Sequence, residues 1–437
     1  MLLEFRTKNY KSFKDEMVFS MTPAPKQKGL DYSVLKEKIG TKEIKALSSA
    51  IIYGPNASGK TNIIGAMDTF RSIILRGHIR NDAEPGNPNI AASSLELIPN
   101  NSVRDGEPVS FSIRFLYKEV LVEYALVLDL GAFLDVDYSR KILKETLSIN
   151  DKMVFDRGES LKFGTLDVIR SYYINSFKEH EESAMALAGM NLNPEELFLT
   201  NGFKNLFSSK LVSMIHEWIL YHFFVVYRAD TFQTRDIVGD LTERVTFAGK
   251  HVNDAATEFG CNSNGLVYVS DNDTNEVRLY SVFEKDGKGK GIPAELFESY
   301  GTIRFINMFP LIASTLINGS TLVVDEFDAS IHPMALMNLI NIFHNDEINV
   351  NHAQLIFNTH NPIFLNGNLY RRDEIKFVER DDTTHFSTHY SLSDFGTSGD
   401  KGVRKNEDYM KNYFVDRYGA IKNVDFSSIF EELIKGK

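Results

Sequence analysis

Residues 54–61 read Gly-Pro-Asn-Ala-Ser-Gly-Lys-Thr and fit the pattern G-x-x-x-x-G-K-[ST] with no departure. Gly54 and Gly59 let the backbone turn its N–H groups inward, with Asn56 and Ser58 on the loop between them. Such a loop cradles phosphate oxygens at a helix start, where the helix dipole favours negative charge. Lys60 is placed to reach the β- and γ-phosphates, and the Thr61 hydroxyl to ligate Mg2+. Further along, Thr321-Leu322-Val323-Val324 is an apolar run that ends in Asp325 and Glu326. A strand ending this way sets Asp325 beside the metal and leaves Glu326 to polarise an attacking water. Taken alone, that pair reads as a strand capped by solvated acids; after a complete phosphate loop it reads as catalytic. Ser299 and Gly301 stand before an amphipathic run and read as a helix N-cap, itself an anion site. His360 ends a second apolar strand, Leu355 to Thr359, about 34 residues after Glu326.

These residues need elements to carry them. Alternation predicts strands over Leu2 to Asn9 and Met17 to Met21, and residues 45–53 end in a short buried strand that leads into the loop. Helical spacing of apolar residues follows over Thr61 to Arg76. Two or three strands are expected between Val109 and Leu130, and short hairpins between Ile142 and Phe163. The pattern turns helical from about 168 to 227, without sustained heptads. The last 145 or so residues alternate helices with apolar strands, the mark of a sheet flanked by helices. Three parts follow: residues 1–167 with the phosphate loop and a β lobe, 168–245 as a helical insertion, and 246–437 with the remaining motifs. Tyr172, Tyr173, Phe177, Phe203 and Phe207 of the insertion read as an exposed, partner-facing set or as the insertion's own small core.

Apolar residues make up 43% of the chain and charged ones 24%, ordinary for a soluble globular protein. A net charge of −11 argues against a surface that grips nucleic acid throughout, and leaves a local basic groove open. The Lys285, Lys288, Lys290 group and the Lys401, Arg404, Lys405 group are interleaved with Gly and Asp and read as solvated loops. Cys261 is the single cysteine, which suits a reducing compartment. The N-terminus has no signal-peptide core, and the run from Trp218 to Tyr227 is far short of the roughly 20 residues a membrane span needs. The expected location is cytoplasmic, with no membrane partner.

The order NYKSF, GPNASGKT, ESYGT, VVDEFDASIHP, FNTHNPIFL and YFVDRYGA resembles the ABC-type ATPase heads of the RecF, OLD and SMC proteins. The likeness is to the stand-alone ATPases of bacterial abortive-infection systems, encoded beside a nuclease-like partner. It covers about residues 1–20, 45–70 and 290–420. It implies an α/β ABC-type ATPase head, a mixed sheet with flanking helices plus an antiparallel β lobe, with a helical insertion. It also implies ATP and Mg2+, hydrolysis, an ATP-dependent homodimer or higher homo-oligomer, and a separately encoded effector in antiviral defence. Under it, Ser299 and Gly301 touch the γ-phosphate held by the other subunit, and His360 steadies the γ-phosphate. Rival readings are a scaffold that binds ATP with negligible hydrolysis, and a DNA-binding RecF-like repair ATPase. His332 stands where the wider family has Asp, and no Q-loop glutamine can be placed between the phosphate loop and residue 233. Glu379-Arg380-Asp381-Asp382 is the one candidate for a fused nuclease and reads as a solvated charge cluster.

Overall fold

The computed structural model describes the chain apart from residues 26, 28, 81–94, 103–105, 136–137, 228–234, 239–243, 271–276, 399–401 and 436–437. Lys401 and Gln233 therefore lie outside the described residues. In chain order come β1 (Leu2–Lys8), β2 (Met17–Ser20), the hairpin β3 (Val34–Ile39) and β4 (Lys42–Leu47), and β5 (Ser49–Tyr53). After helix α1 (Lys60–Arg76) follow β6 (Val109–Tyr117), β7 (Val120–Asp129), β8 (Lys141–Ile149), β9 (Lys152–Arg157) and β10 (Leu161–Phe163). Period-two alternation buries Val109, Phe111, Ile113 and Phe115 on one face of β6, and Val122, Tyr124, Leu126 and Leu128 on one face of β7. The result is a seven-stranded antiparallel sheet in the order β10-β9-β8-β7-β6-β1-β2.

Several short helical elements between Leu166 and Leu206, among them Glu181–Met190, lead to α2 (Ser209–Tyr221) and β11 (Phe223–Val226). A third sheet holds β12 (Ile237–Val238), β13 (Val245–Ala248), β14 (Gly265–Ser270), β15 (Val277–Lys285) and β16 (Lys288–Pro293), with α3 (Lys250–Phe259) between β13 and β14. Lys285, Lys288 and Lys290 sit exposed on the β15–β16 hairpin. Helix α4 (Tyr300–Asn318) then packs Ile306 into the small core made by Val252, Ala256, Leu266 and Leu279.

The last third supplies β17 (Thr321–Val324), α5 (Pro333–Phe343), β18 (Gln354–Asn358), β19 (Ile375–Arg380), β20 (Ser387–Ser391), α6 (Tyr409–Phe414) and α7 (Ser427–Lys435). The central sheet runs β11-β17-β18-β5-β19-β20, parallel except for β20. Every residue of β5, β17 and β18 is buried, as a parallel sheet covered on both faces requires. Segments far apart in sequence thus lie side by side. Gln354 ties the two sheets together. Its amide donates to the carbonyls of Leu2 (3.0 Å) and Leu47 (2.8 Å), and its oxygen accepts from Leu2 N–H (2.6 Å) and the Thr321 hydroxyl (2.8 Å).

Residues 168–245 differ from the expectation in two ways. The apolar run Phe223–Val226 is a strand, paired in parallel with β17, not the end of a helix. Four consecutive apolar residues carry no period that separates a buried strand from a buried helix. The aromatic set is also not free for a partner: Phe177, Phe203 and Phe207 are buried in the same core as the β lobe, with Tyr172 and Tyr173 packed against it. Phe155 and Phe163 of the lobe interleave with Phe198, Phe203 and Phe207. Trp218 stacks on Phe115 with ring centroids 3.8 Å apart, and on Phe223 at 5.2 Å. The wholly buried Glu145 carboxylate fastens this union. It accepts from Tyr124 O–H (2.9 Å), Arg157 (3.2 Å) and the N–H groups of Phe198 (2.7 Å) and Leu199 (2.8 Å). From the other side Arg71 of α1 donates to the carbonyls of Ile219 (3.1 Å), Leu220 (3.3 Å) and Phe223 (2.8 Å), capping α2 at its C-terminus.

Candidate nucleotide site

The phosphate loop leaves the end of β5 between two walls. An added Cβ at Gly54 would lie 2.3 Å from the Val378 carbonyl oxygen, so β19 excludes any larger residue. Gly59 has φ +111°, and a Cβ there would meet the hydroxyls of Ser387 (2.6 Å) and Ser12 (2.7 Å). Glycine is needed on both counts. Ser387 donates to the Ser58 carbonyl (2.5 Å), and Asn62 to the Ser12 hydroxyl (2.7 Å), so β20 and the turn after β1 hold the loop in shape.

Asn56 is exposed at the tip. The Ser58 hydroxyl is buried without a hydrogen-bond partner, an orphaned polar atom inside the cradle. The Lys60 ammonium folds back to donate to the carbonyls of Gly54 (2.7 Å) and Pro55 (2.9 Å). Burial pulls its pKa down to about 8, against the opposing pull of Asp325, Glu326 and Asp328. A buried cation resting on loop carbonyls and an unsatisfied hydroxyl both fit a bound polyphosphate.

The carboxylate pair meets this loop directly. The Thr61 hydroxyl donates to Asp325 Oδ1 (3.1 Å), and Asn358 Nδ2 donates to the same oxygen (2.5 Å). The other end of the Asn358 amide accepts from the Glu326 N–H (2.5 Å). Arg304 of α4, itself buried, donates to the Glu326 carbonyl (2.6 Å). Glu326 sits in the left-handed region at φ +51°, which turns its side chain out to solvent while Asp325 stays buried. An L residue with a β-carbon adopts that backbone at a cost of about 1–2 kcal/mol, so Asn358 and Arg304 hold it there.

Asp328 accepts from the Thr359 hydroxyl (2.5 Å), while burial pushes its carboxyl above the ordinary range. His360, solvent-accessible at the rim, has its imidazole pKa lowered first by partial burial and then by the Lys60 ammonium, so it is neutral at pH 7. Asp325 and Thr61 offer two oxygen ligands. Mg2+ commonly takes that few from a protein when phosphates and water supply the rest.

Ser299 and Gly301 stand at the start of α4. The Ser299 hydroxyl caps α4 by accepting from the Thr302 N–H (3.1 Å), and Ser299 is exposed. Gly301 touches the loop after the carboxylate pair: a Cβ there would stand 2.0 Å from the Ser330 carbonyl oxygen. No hydrogen bond joins either residue to the phosphate loop among the described residues. His332 caps α5 through Nδ1 (3.3 Å to Met334 N–H). Glu379 to Asp382 close the β19–β20 hairpin, where Asp381 accepts from Thr383 and Thr384. Sequence reasoning assigned no role to Ser12, Ser387, Arg304 or Asn358; Ser12 lies in NYKSF and Asn358 in FNTHNPIFL, which were the available signals, while Ser387 and Arg304 belong to no short motif.

The family described as "AAA domain, putative AbiEii toxin, Type IV TA system" matches residues 49–366, well over half of the chain. No curated protein matches. Among solved structures, the SMC head domain from Thermotoga maritima is similar at 14% identity and a TM-score of 0.34, over 89% of this chain and 98% of that one. The span of the family match takes in the phosphate loop, the carboxylate pair and His360 together. The chain belongs to this family of AAA domains, whose description names the putative AbiEii toxin.

Proposed function

We propose that the protein binds ATP with Mg2+ and hydrolyses it between two copies of the chain. The observation that carries this reading is the unbroken chain of hydrogen bonds from Thr61 through Asp325 and Asn358 to the Glu326 backbone. In this reading the glycine loop and Ser58 hold the phosphates, and Lys60 leaves its carbonyl partners for the γ-phosphate. Mg2+, held by Thr61 and Asp325, would neutralise charge on the phosphate oxygens. Glu326, held pointing into solvent, accepts a proton from the attacking water. Neutral His360 donates a hydrogen bond to the γ-phosphate. Ser299 and Gly301, which make no hydrogen bond to their own loop among the described residues, close the site of the other copy at the positive end of α4.

The family's description as a toxin of a toxin–antitoxin system supports a further step, in which closing on ATP controls a separately encoded effector in antiviral defence. Phosphate release by the purified protein tests the first step. Glu326→Gln should bind ATP and stop turnover, because the amide keeps the size of the side chain and cannot take a proton. Wild-type turnover in that variant would refute the assignment.

A further inference from the structure

Helix α7 carries no buried residue among those described. Val424 (61% exposed), Phe426, Ile429, Phe430, Leu433 and Ile434 (73%) all stand in solvent, and no described residue of the helix is buried. Their spacing of three, four and seven gathers Phe426, Ile429, Phe430, Leu433 and Ile434 on one face. A second exposed apolar patch, Met410, Phe414 and Val415, lies on and just after α6. Single exposed apolar residues are common, but a continuous stripe of this kind marks a contact surface.

We propose that α7 pairs with α7 of a second copy of this chain, in antiparallel register about Phe430, and that this contact holds two copies together without nucleotide. The charge pattern favours the arrangement. Centring on Phe430 sets Phe426 of one copy across from Ile434 of the other, and Asp425 across from Lys435, so each end of the pair carries one attractive contact. An anionic membrane is a poor occupant, since Glu431, Glu432 and Asp425 outnumber Lys435 and Lys437 on and beside the helix in the sequence.

The area is adequate. At roughly 100 Å2 for each large apolar side chain, the five-residue α7 stripes alone bury about 1,000 Å2 in total, just under the lower bound of standard interfaces. The α6 patches, brought in at the flanks, raise the total to about 1,600 Å2. The contact is independent of the proposed ATP chemistry, because none of these residues belongs to the phosphate site.

The test uses the full chain with chelator and no nucleotide, its mass measured by light scattering after size-exclusion chromatography. The native chain should be dimeric. Phe430→Glu combined with Ile434→Glu should be monomeric at the same concentration, with the circular dichroism spectrum of the folded chain retained because both side chains are exposed within a single copy. Phe430→Cys should give a disulfide-linked dimer on mild oxidation, since the native Cys261 is buried. A native monomer, an unchanged mass for the double variant, or no cross-link at position 430 would each overturn the proposal. So would a monomer that binds phosphatidylcholine–phosphatidylserine vesicles through α7. Failure of this test leaves phosphate release untouched, and the reverse also holds.

Discussion

Asn358→Ala removes two hydrogen bonds at once, one to the Asp325 carboxylate and one from the Glu326 N–H. A hydrogen bond to a charged group contributes about 1.5–3 kcal/mol, and an unpaired buried polar group costs about 1–3 kcal/mol. Only part of that total reaches the reaction, since water can enter the space that the amide leaves. The part that matters is the hold on Glu326. Freed of it, the residue can leave φ +51° and regain about 1–2 kcal/mol, taking its carboxylate away from the proposed water position. Loss of the second donor to Asp325 adds a similar amount. Together these give about 3 kcal/mol of transition-state stabilisation, or a fall in turnover of about a hundredfold. ATP affinity should change by no more than about threefold, a shift of under 1 kcal/mol, because the phosphate loop and Lys60 keep their partners. The assay pairs steady-state phosphate release with equilibrium binding of a fluorescent ATP analogue, and a thermal melt confirms folding. Turnover within threefold of the native rate in a folded Asn358→Ala would refute the idea that this amide positions the pair.

ATP affinity should fall as pH rises past about 8, because the Lys60 ammonium of the empty loop then loses its proton, and Lys60→Arg should flatten that dependence in a binding titration. Gly301→Ala should drive a Cβ into the Ser330 carbonyl, cutting turnover at least tenfold with ATP binding intact; equal turnover would show that the start of α4 is free to shift. Glu145→Ala strands Arg157 and two backbone N–H groups in the core, and should lower unfolding free energy by about 3–5 kcal/mol in urea titrations.

The phosphate loop and the carboxylate pair were legible because their chemistry demands particular side chains at fixed short spacing. Gly54, Lys60, Thr61, Asp325 and Glu326 converge as their types suggested. Asn358 and Arg304 were not legible. Asn358 is the last residue of an apolar strand and Arg304 an ordinary helix residue, and only the parallel neighbours β17 and β18 bring them to Glu326. The aromatic residues of 168–245 show a different limit. Helical spacing tells which side of an element is apolar but not what covers it; here the β lobe does, through Phe155, Phe163 and Phe115. The same spacing recurs in α7, where no described residue is buried.

Trp218 is the only tryptophan in the chain, sandwiched between Phe115 of the β lobe and Phe223 of β11. Phe223 in turn lies in register with Thr321, four residues before Asp325, and its carbonyl is held by Arg71 of the phosphate-loop helix. Nature has therefore placed one intrinsic fluorophore, carried by α2, at the junction between lobe and central sheet, against the strand beside the one that ends in the carboxylates. Its emission should be that of an indole out of water. Any rocking of the lobe relative to the sheet must slide that indole along its two aromatic neighbours. An unlabelled, unmutated sample thus carries its own optical gauge of how the two layers move, readable in a stopped-flow instrument on the first addition of nucleotide.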